Sequence, residues 1–144
     1  AEAGDASMGA LSSELAGALY GLDLLARHIE DNAHNTTRFL VTAPTPVEVS
    51  NVGKIITTLI FEVRNIPAAL YKAMGGFATN SVNMLKLESY MVDGSFTATQ
   101  FYADIEGHPE DAAVQRALEE LAYFTNSTRI LGTYPESEFR ETLA

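Results

Sequence analysis

Thr37-Arg38-Phe39 is the stretch of this sequence whose residue types best suit chemistry on a small molecule. A threonine hydroxyl held in a dry, preorganised pocket can hydrogen-bond an oxygen as it leaves, and general-acid help of this kind is worth about 10²–10⁴-fold. The planar guanidinium of an arginine matches a carboxylate, and a neighbouring phenylalanine ring excludes water. Taken alone, these three residues are more often an ordinary helix-to-strand connection with a threonine cap and a solvated arginine.

The charge balance excludes several classes of partner. The chain has 144 residues, of which 19 are acidic and 9 basic, and its formal net charge is −10. The basic residues are scattered from Arg27 to Arg140. Since such a chain repels a phosphate backbone, we expect no nucleic-acid partner and no anionic membrane. No uncharged apolar run approaches the roughly 18–20 residues that span a bilayer.

Metal and disulfide chemistry is not expected either. The chain has no cysteine, which excludes disulfides and thiolate ligands. Its three histidines, His28, His34 and His108, have a spacing that fits no metal-ligand pattern. The first residues, starting at Ala1, include neither an initiator methionine nor a basic secretory leader. We therefore expect a cytoplasmic protein, and a chain that begins inside a longer one.

Few elements are available to position the Thr37 stretch. One face of a helix is predicted from apolar residues at spacings of three and four, namely Leu11, Leu15, Ala18, Leu19 and Leu22. Gly21 is a candidate break in that helix, and Phe39-Leu40-Val41 is predicted as a short strand. The prolines Pro44 and Pro46 then form a stiff connector. One helix and one strand cannot close a core, so this part is expected to belong to something larger.

The part after the connector has a regular order of elements. Strands are predicted over residues 54–63, 83–92, 95–105 and 128–134. Pro67 is expected at the first position of one helix and Asn80 at its end, while a second helix follows Gly107. Asp93-Gly94 is a strong hairpin signal between the middle strands, and the tail after Pro135 is expected to be loosely held. The order predicts an α+β, ferredoxin-like βαββαβ fold with an antiparallel four-stranded sheet and both helices on one face.

Two stretches resemble known families. Asn35-Thr36-Thr37-Arg38-Phe39 is similar to the signature of prephenate dehydratases. The matching residues upstream of it are Ser13-Glu14-Leu15-Ala16, Tyr20-Gly21-Leu22, Asn32 and His34-Asn35. The βαββαβ module resembles the ACT domain, a regulatory amino-acid sensor, and Gly107-His108 and Leu131–Pro135 fall where the enzyme family has them. The resemblance implies a catalytic-domain piece over 1–43, a linker over 44–53, an ACT domain over 54–136 and a tail over 137–144.

The implied reaction converts prephenate to phenylpyruvate, carbon dioxide and water, in phenylalanine biosynthesis. The resemblance assigns the donor role to Thr37. By their side-chain chemistry, Arg38 is expected to hold a substrate carboxylate and Phe39 to exclude water. Because aromatisation supplies much of the driving force, no cofactor is expected. Most of a two-lobed catalytic cleft is missing from the chain, so the chain alone is expected to be inactive.

The ACT resemblance implies feedback inhibition by phenylalanine. Its first ligand-binding loop matches Asn65, Ile66, Pro67, Ala68, Ala69 and Leu70, and its second begins at Glu88 and Ser89. Glu88 or Ser89 of a partner would recognise the ammonium group of the effector. Ala68 replaces the glycine of the family pattern, and Tyr90-Met91 replace Arg-Pro, which leaves open which aromatic amino acid binds.

A homodimer or dimer of dimers is expected, because Ile56 and Ile60 would leave the sheet face opposite the helices too apolar for exposure. The alternative function is an amino-acid-binding or dimerisation ACT module of another enzyme, with no lyase activity. The Thr37 stretch and its preamble favour the dehydratase, since an unrelated ACT protein has no reason to carry them.

Overall fold

A computed structural model of the chain describes residues 5–32, 37–92 and 98–143. The chain forms two compact units, Ala1–Thr42 and Ala43–Ala144. All the buried hydrophobic residues of the described chain lie in the second unit. The predicted turn Asp93-Gly94 and the residues His34, Asn35 and Thr36 lie outside the described residues.

The first unit contains the short helix α1 (Glu14–Leu19). The Ser13 hydroxyl caps its start by accepting from the N–H of Ala16 at 3.2 Å. The helix ends at Leu19, Tyr20 is its C-cap, and Gly21 follows with a φ of 63°. The predicted break at Gly21 is therefore confirmed, because a positive φ is open to glycine at little cost.

The predicted strand Phe39-Leu40-Val41 is wrong, since these residues have no regular secondary structure. Their sequence is apolar and partly β-branched, but a strand also needs a neighbour to accept and donate its backbone hydrogen bonds. The described residues of the first unit contain no strand that could serve as that neighbour.

The second unit has the βαββαβ order that the sequence predicts. Its elements are β1 (Ile55–Val63), α2 (Ala69–Thr79), β2 (Met84–Met91), β3 (Ala98–Glu106), α3 (Ala112–Phe124) and β4 (Thr125–Pro135). The sheet has the order β2-β3-β1-β4, and every neighbouring pair is antiparallel. This is the ferredoxin-like arrangement, so the predicted fold class is confirmed.

The core lies between the sheet and the two helices. Leu59 and Phe61 alternate along β1 and are fully buried, and Phe61 stacks on Phe101 of β3 with ring centroids 5.4 Å apart. The helices contribute Ala73 and Phe77 from α2, and from α3 Val114, Ala117 and Leu121. Apolar residues at helical spacing on both helices thus cover one face of the sheet.

Several predicted boundaries differ from the structure, among them the start of β4, which is Thr125 and not residue 128. Helix α2 begins at Ala69 and not at Pro67, because the N–H of Ala69 bonds to the carbonyl of Ile66 at 3.1 Å and closes a turn first. Pro67 occupies the second position of that turn, which its fixed φ also suits. Asn80 ends α2 as predicted. The tail is more ordered than expected, since residues Glu138–Leu143 form a 3₁₀ helix.

The sheet face opposite the helices is polar at its centre. Asp104 is fully buried and accepts a hydrogen bond from the Thr58 hydroxyl, which also lies 2.9 Å from the Tyr134 hydroxyl. Gly132 is the neighbour of Thr58 on β4, which leaves room for the tyrosine ring beside it. The expectation of exposed aliphatic residues on this face is wrong for Ile56, which is only 2% exposed.

Gly76 lets the two helices approach each other closely, and its substitution tests the packing. A Cβ at this position would lie 2.7 Å from the Glu120 Cβ and 3.1 Å from the Ala117 carbonyl oxygen. We expect Gly76→Ala to lower the free energy of unfolding by about 1–3 kcal/mol, because the helices must move apart. Gly75→Ala is the matched control, since nothing lies within 4 Å of its Cβ position. It should raise that energy by about 0.5–1 kcal/mol. Equal effects of the two substitutions in urea denaturation would contradict this packing.

Candidate functional site

Thr37, Arg38 and Phe39 lie together in an irregular and exposed stretch of the first unit. Phe39 is 85% exposed, so within the described residues its ring does not shield Thr37 from water. Two cavities of the described chain are lined by residues of the second unit and not by this stretch. The three residues thus offer a hydroxyl, a cation and an apolar ring on one short segment, without the opposing wall that a dry pocket needs.

The predicted effector loop, Asn65–Leu70, connects β1 to α2 at one end of the sheet. The N–H of Arg64 bonds to the carbonyl of Phe124 at 3.1 Å, which fixes the start of the loop beside the end of α3. No side chain caps α2 at Ala68. The N–H groups in the first turn of a helix have no partner within that helix, and they attract an anion such as a carboxylate.

Ala68 has a left-handed backbone conformation, with φ 57° and ψ 28°. For a residue with a Cβ this conformation costs roughly 1–2 kcal/mol. The sequence places an alanine where the family pattern has glycine, but only the structure reveals that the backbone there is left-handed. The strain therefore falls on the residue that immediately precedes α2.

The apolar members of the loop divide between core and surface. Ala69 is buried in the core and Leu70 packs partly against it. Ile66 is 43% exposed and Tyr71, on the first turn of α2, is 82% exposed. Ala69 can therefore contribute only backbone atoms to a ligand, whereas Ile66, Leu70 and Tyr71 offer apolar surface.

Glu88 and Ser89, the predicted second element, lie on β2. Ser89 is opposite Phe101, and Phe101 is opposite Phe61, two residues before the end of β1. The register therefore brings Ser89 toward the same end of the sheet as the effector loop, on a strand separated from β1 by β3.

Glu88 is already engaged within the chain. Its carboxylate accepts from the Tyr90 hydroxyl at 2.8 Å and lies 3.0 Å from the Lys86 Nζ. The hydrogen bond from Tyr90, followed by that from Lys86, holds the pKa of the Glu88 carboxyl below its ordinary value. The same carboxylate raises the pKa of Tyr90. Glu88 is thus an anion at neutral pH with two neighbours that sequence patterns did not single out.

The two cavities lie at the other end of the sheet and have volumes of about 210 and 230 Å³. The first is lined by the start of β1, the end of β3 and Asp111, which accepts a hydrogen bond from the Asn51 amide at 2.7 Å. This bond and another from the His108 N–H lower the pKa of the Asp111 carboxyl. The contact joins residues 60 positions apart, and no motif in the sequence pointed to it. It fastens the segment before β1 to the start of α3.

Neither a metal cluster nor a membrane span is found in the described part of the chain. No three histidine or acidic side chains converge there as metal ligands. The helices of the same part are too short or too polar to cross a bilayer.

Known proteins resemble the chain in both sequence and fold. A family model for prephenate dehydratase matches residues 1–59. A curated bifunctional N-acyl-homoserine lactone acylase/prephenate dehydratase from Komagataeibacter europaeus is 53% identical over 91% of this chain and 47% of its own length. A bifunctional chorismate mutase/prephenate dehydratase from Aquifex aeolicus is 38% identical over 95% of this chain and 37% of its own.

Two solved structures are similar as well. A quorum-quenching acylase has a TM-score of 0.71 and 50% identity, over 90% of this chain and 47% of that one. The prephenate dehydratase of Arthrobacter aurescens, solved in complex with L-Phe, has a TM-score of 0.54 and 27% identity, over 65% of this chain and 30% of that one.

The second unit thus has the ferredoxin-like α+β fold of prephenate dehydratase regulatory domains. Residues 1–59 match the prephenate dehydratase family model, and the chain is similar to bifunctional prephenate dehydratases over 91% and 95% of its length. It spans about half, or less, of the length of the curated relatives it matches. The region matched by the family model contains the Thr37 stretch.

The strained backbone of Ala68 predicts that a glycine at this position raises the free energy of unfolding, which is unusual for a substitution to glycine. We expect Ala68→Gly to raise the free energy of unfolding by up to about 1 kcal/mol, because relief of the left-handed strain exceeds the entropy that glycine adds to the unfolded chain. Ala78→Gly is the control, since Ala78 is an exposed residue of the same helix. The free energy of unfolding of this control should fall by about 0.5–1 kcal/mol. If both glycine variants lose stability in thermal or urea denaturation, residue 68 is not strained in solution.

Proposed function

We propose that this chain supplies part of the substrate site and the regulatory domain of a prephenate dehydratase. The reaction expels the ring carboxylate of prephenate as carbon dioxide and its ring hydroxyl, which takes up one proton, as water, and leaves phenylpyruvate with its side-chain carboxylate. The observation that carries this proposal is the Thr37-Arg38-Phe39 stretch, which lies inside the region matched by the prephenate dehydratase family model.

Thr37 is the proposed donor to the departing hydroxyl. A threonine hydroxyl is a weak acid, so it must act by hydrogen bonding from a fixed position in a site without water. Arg38 is proposed to hold a carboxylate of the substrate through two parallel hydrogen bonds. Phe39 is proposed to exclude water once an opposing wall covers its ring.

The exposed leucines of the first unit support a larger catalytic domain. Leu15 and Leu19 lie on α1 and are 69% and 74% exposed. Contiguous apolar surface of this kind is normally covered in a soluble protein. We therefore propose that other segments of the whole protein cover the first unit and complete the pocket around Thr37.

Thr37→Ala in the whole protein that contains this chain tests the lyase proposal. We expect the turnover number for prephenate to fall about 10²–10⁴-fold, because the departing hydroxyl loses its donor. The circular dichroism spectrum should not change, since Thr37 is exposed in an irregular segment. Thr42→Ala, five residues further on, is the control and should retain activity. Unchanged phenylpyruvate formation by the Thr37 variant would remove Thr37 from the mechanism.

Phenylalanine is the proposed effector. The solved complex of the Arthrobacter aurescens prephenate dehydratase with L-Phe supports this choice. We propose that the first turn of α2 binds the carboxylate of the amino acid, that Glu88 or Ser89 recognises its ammonium group, and that Ile66 and Leu70 contact its ring. We further propose a homodimer, in which effector and interface stabilise each other.

Thermal denaturation of the 144-residue chain tests effector binding. Phenylalanine at 100 times its dissociation constant should add about 2.7 kcal/mol to the free energy of unfolding, which raises the melting temperature by several degrees. Glycine at the same concentration is the control, because it has the same charged groups but no ring. No shift with millimolar phenylalanine, tyrosine or tryptophan would leave the second unit a dimerisation domain only.

A second candidate activity comes from the relatives with the highest identity reported above. Both the Komagataeibacter europaeus protein and the quorum-quenching acylase share at least half of the aligned residues with this chain. We propose N-acyl-homoserine lactone acylase activity as the alternative for the whole protein. Assaying both substrates on the Thr37→Ala variant distinguishes the two, since an acylase site independent of Thr37 keeps its activity.

A further inference from the structure

Helix α3 contacts both the start of the effector loop and the linker that leads back to the first unit. At its C-terminal end, the carbonyl of Phe124 accepts from the N–H of Arg64, the residue immediately before the loop Asn65–Leu70, at 3.1 Å. At its N-terminal end, the carboxylate of the N-cap residue Asp111 accepts from the Asn51 amide at 2.7 Å. One helix therefore joins the segment proposed to bind an effector to the segment that continues into the Thr37 stretch.

The carboxylate of Asp111 holds the linker, residues 44–53, to the loop that precedes α3. Its Oδ1 accepts from Asn51, and its Oδ2 accepts from the N–H of His108 at 2.8 Å. That loop also packs tightly on the helix, since a Cβ at Gly107 would lie 2.7 Å from a side chain of α3. A displacement of the start of α3 therefore moves the carboxylate to which the linker is bonded.

Strand β1 is the direct covalent route from the effector loop back to the linker, but it is poorly suited to move. It pairs with β3 on one side and with β4 on the other. A strand in this position cannot slide without breaking two ladders of hydrogen bonds, whereas packed helices shift by about 1–2 Å in switching proteins. Since α3 rests on the core through Val114, Ala117 and Leu121, it is the route that a small displacement can follow.

We propose that α3 transmits effector binding to the catalytic part and that the Asn51–Asp111 hydrogen bond is the coupling contact. Phenylalanine at the loop displaces the C-terminal end of α3 through Arg64, and Asp111 carries the displacement to the linker. Asn51 and Asp111 are positioning residues, since they act through the linker on the site around Thr37. This inference rests on the proposed function, because it needs an effector at the loop and turnover of prephenate.

Exchanging the two side chains tests this contact in the whole protein that contains this chain. Asn51→Asp alone sets two carboxylates against each other at hydrogen-bond distance, so their repulsion breaks the contact. Adding Asp111→Asn restores it, because the new amide can accept from the His108 N–H with its oxygen and donate to the new carboxylate with its nitrogen. The double variant keeps the net charge of the parent protein.

The variants should differ in inhibition and not in basal turnover. Saturating phenylalanine should slow the turnover of Asn51→Asp by a factor at least about fivefold smaller than that of the parent, and the double variant should regain inhibition. In calorimetry Asn51→Asp should bind phenylalanine at least as tightly as the parent, because binding no longer works against the active arrangement.

Asn126→Ala is the matched control. It removes an amide–carboxylate hydrogen bond of the same kind, in which Asn126 of β4 donates to Glu62 of β1 at 3.2 Å. Because this bond involves neither the linker nor Asp111, the variant should be inhibited as strongly as the parent.

Three results would overturn the coupling contact alone. They are full inhibition of Asn51→Asp, a loss of its affinity for phenylalanine together with its inhibition, and a double variant that does not regain inhibition. The second of these would make the hydrogen bond a support of the effector site only. A parent protein that phenylalanine neither binds nor inhibits would overturn the effector of the proposed function and this inference together.

Discussion

The close approach of α2 and α3 at Gly76 is the constraint on which the second unit depends. Both helices must lie side by side over four strands, and the Glu120 Cβ would be 2.7 Å from a Cβ at residue 76. At that separation Ala73, Phe77, Ala117 and Leu121 reach the same layer of the core as Leu59 and Phe61. Ala69, at the start of α2, is buried in the same core, so the loop Asn65–Leu70 is anchored at its C-terminal end by that packing.

That constraint explains why strain is found at Ala68. The chain leaves β1 at Val63 and must enter α2 at Ala69. A turn over Ile66–Ala69 makes this change of direction, and it requires a left-handed residue at position 68. Strain persists where the surrounding structure over-determines a conformation, and such residues are often found at ligand sites. The buried side chains on both sides of the turn provide that over-determination here.

Hydrophobic periodicity is sufficient to predict the strands and helices of the second unit. Alternation along a strand and a spacing of three or four residues along a helix are both local features of the sequence. Alternation along β1 and the helical spacing of Val114, Ala117 and Leu121 agree with the structure. The failures concern interactions between distant residues. Phe39-Leu40-Val41 has the composition of a strand but no neighbouring strand in the described residues. Ile56 was expected to be exposed, yet it pairs with Tyr134 and Glu106, whose side chains lie on the same face and can cover it.

For the candidate site, too, the sequence predicts only what a local motif encodes. Thr37, the loop Asn65–Leu70 and Glu88 are predictions from motifs, each of which occupies a short stretch of sequence. The hydrogen bonds of Glu88 with Tyr90 and Lys86, and the contact between Asn51 and Asp111, depend on side-chain geometry that no motif encodes. The left-handed conformation of Ala68 could not be predicted from the sequence either, since alanine seldom adopts it.

An NMR titration of the 144-residue chain with L-phenylalanine is the most direct test that the second unit is a regulatory domain with its effector at the loop. The largest amide shift changes are predicted at Asn65, Ile66 and Ala68–Leu70, where the first turn of α2 meets the carboxylate. Saturable changes centred instead on the cavity lined by Asn51 and Asp111, or no saturable change at all, would contradict that assignment.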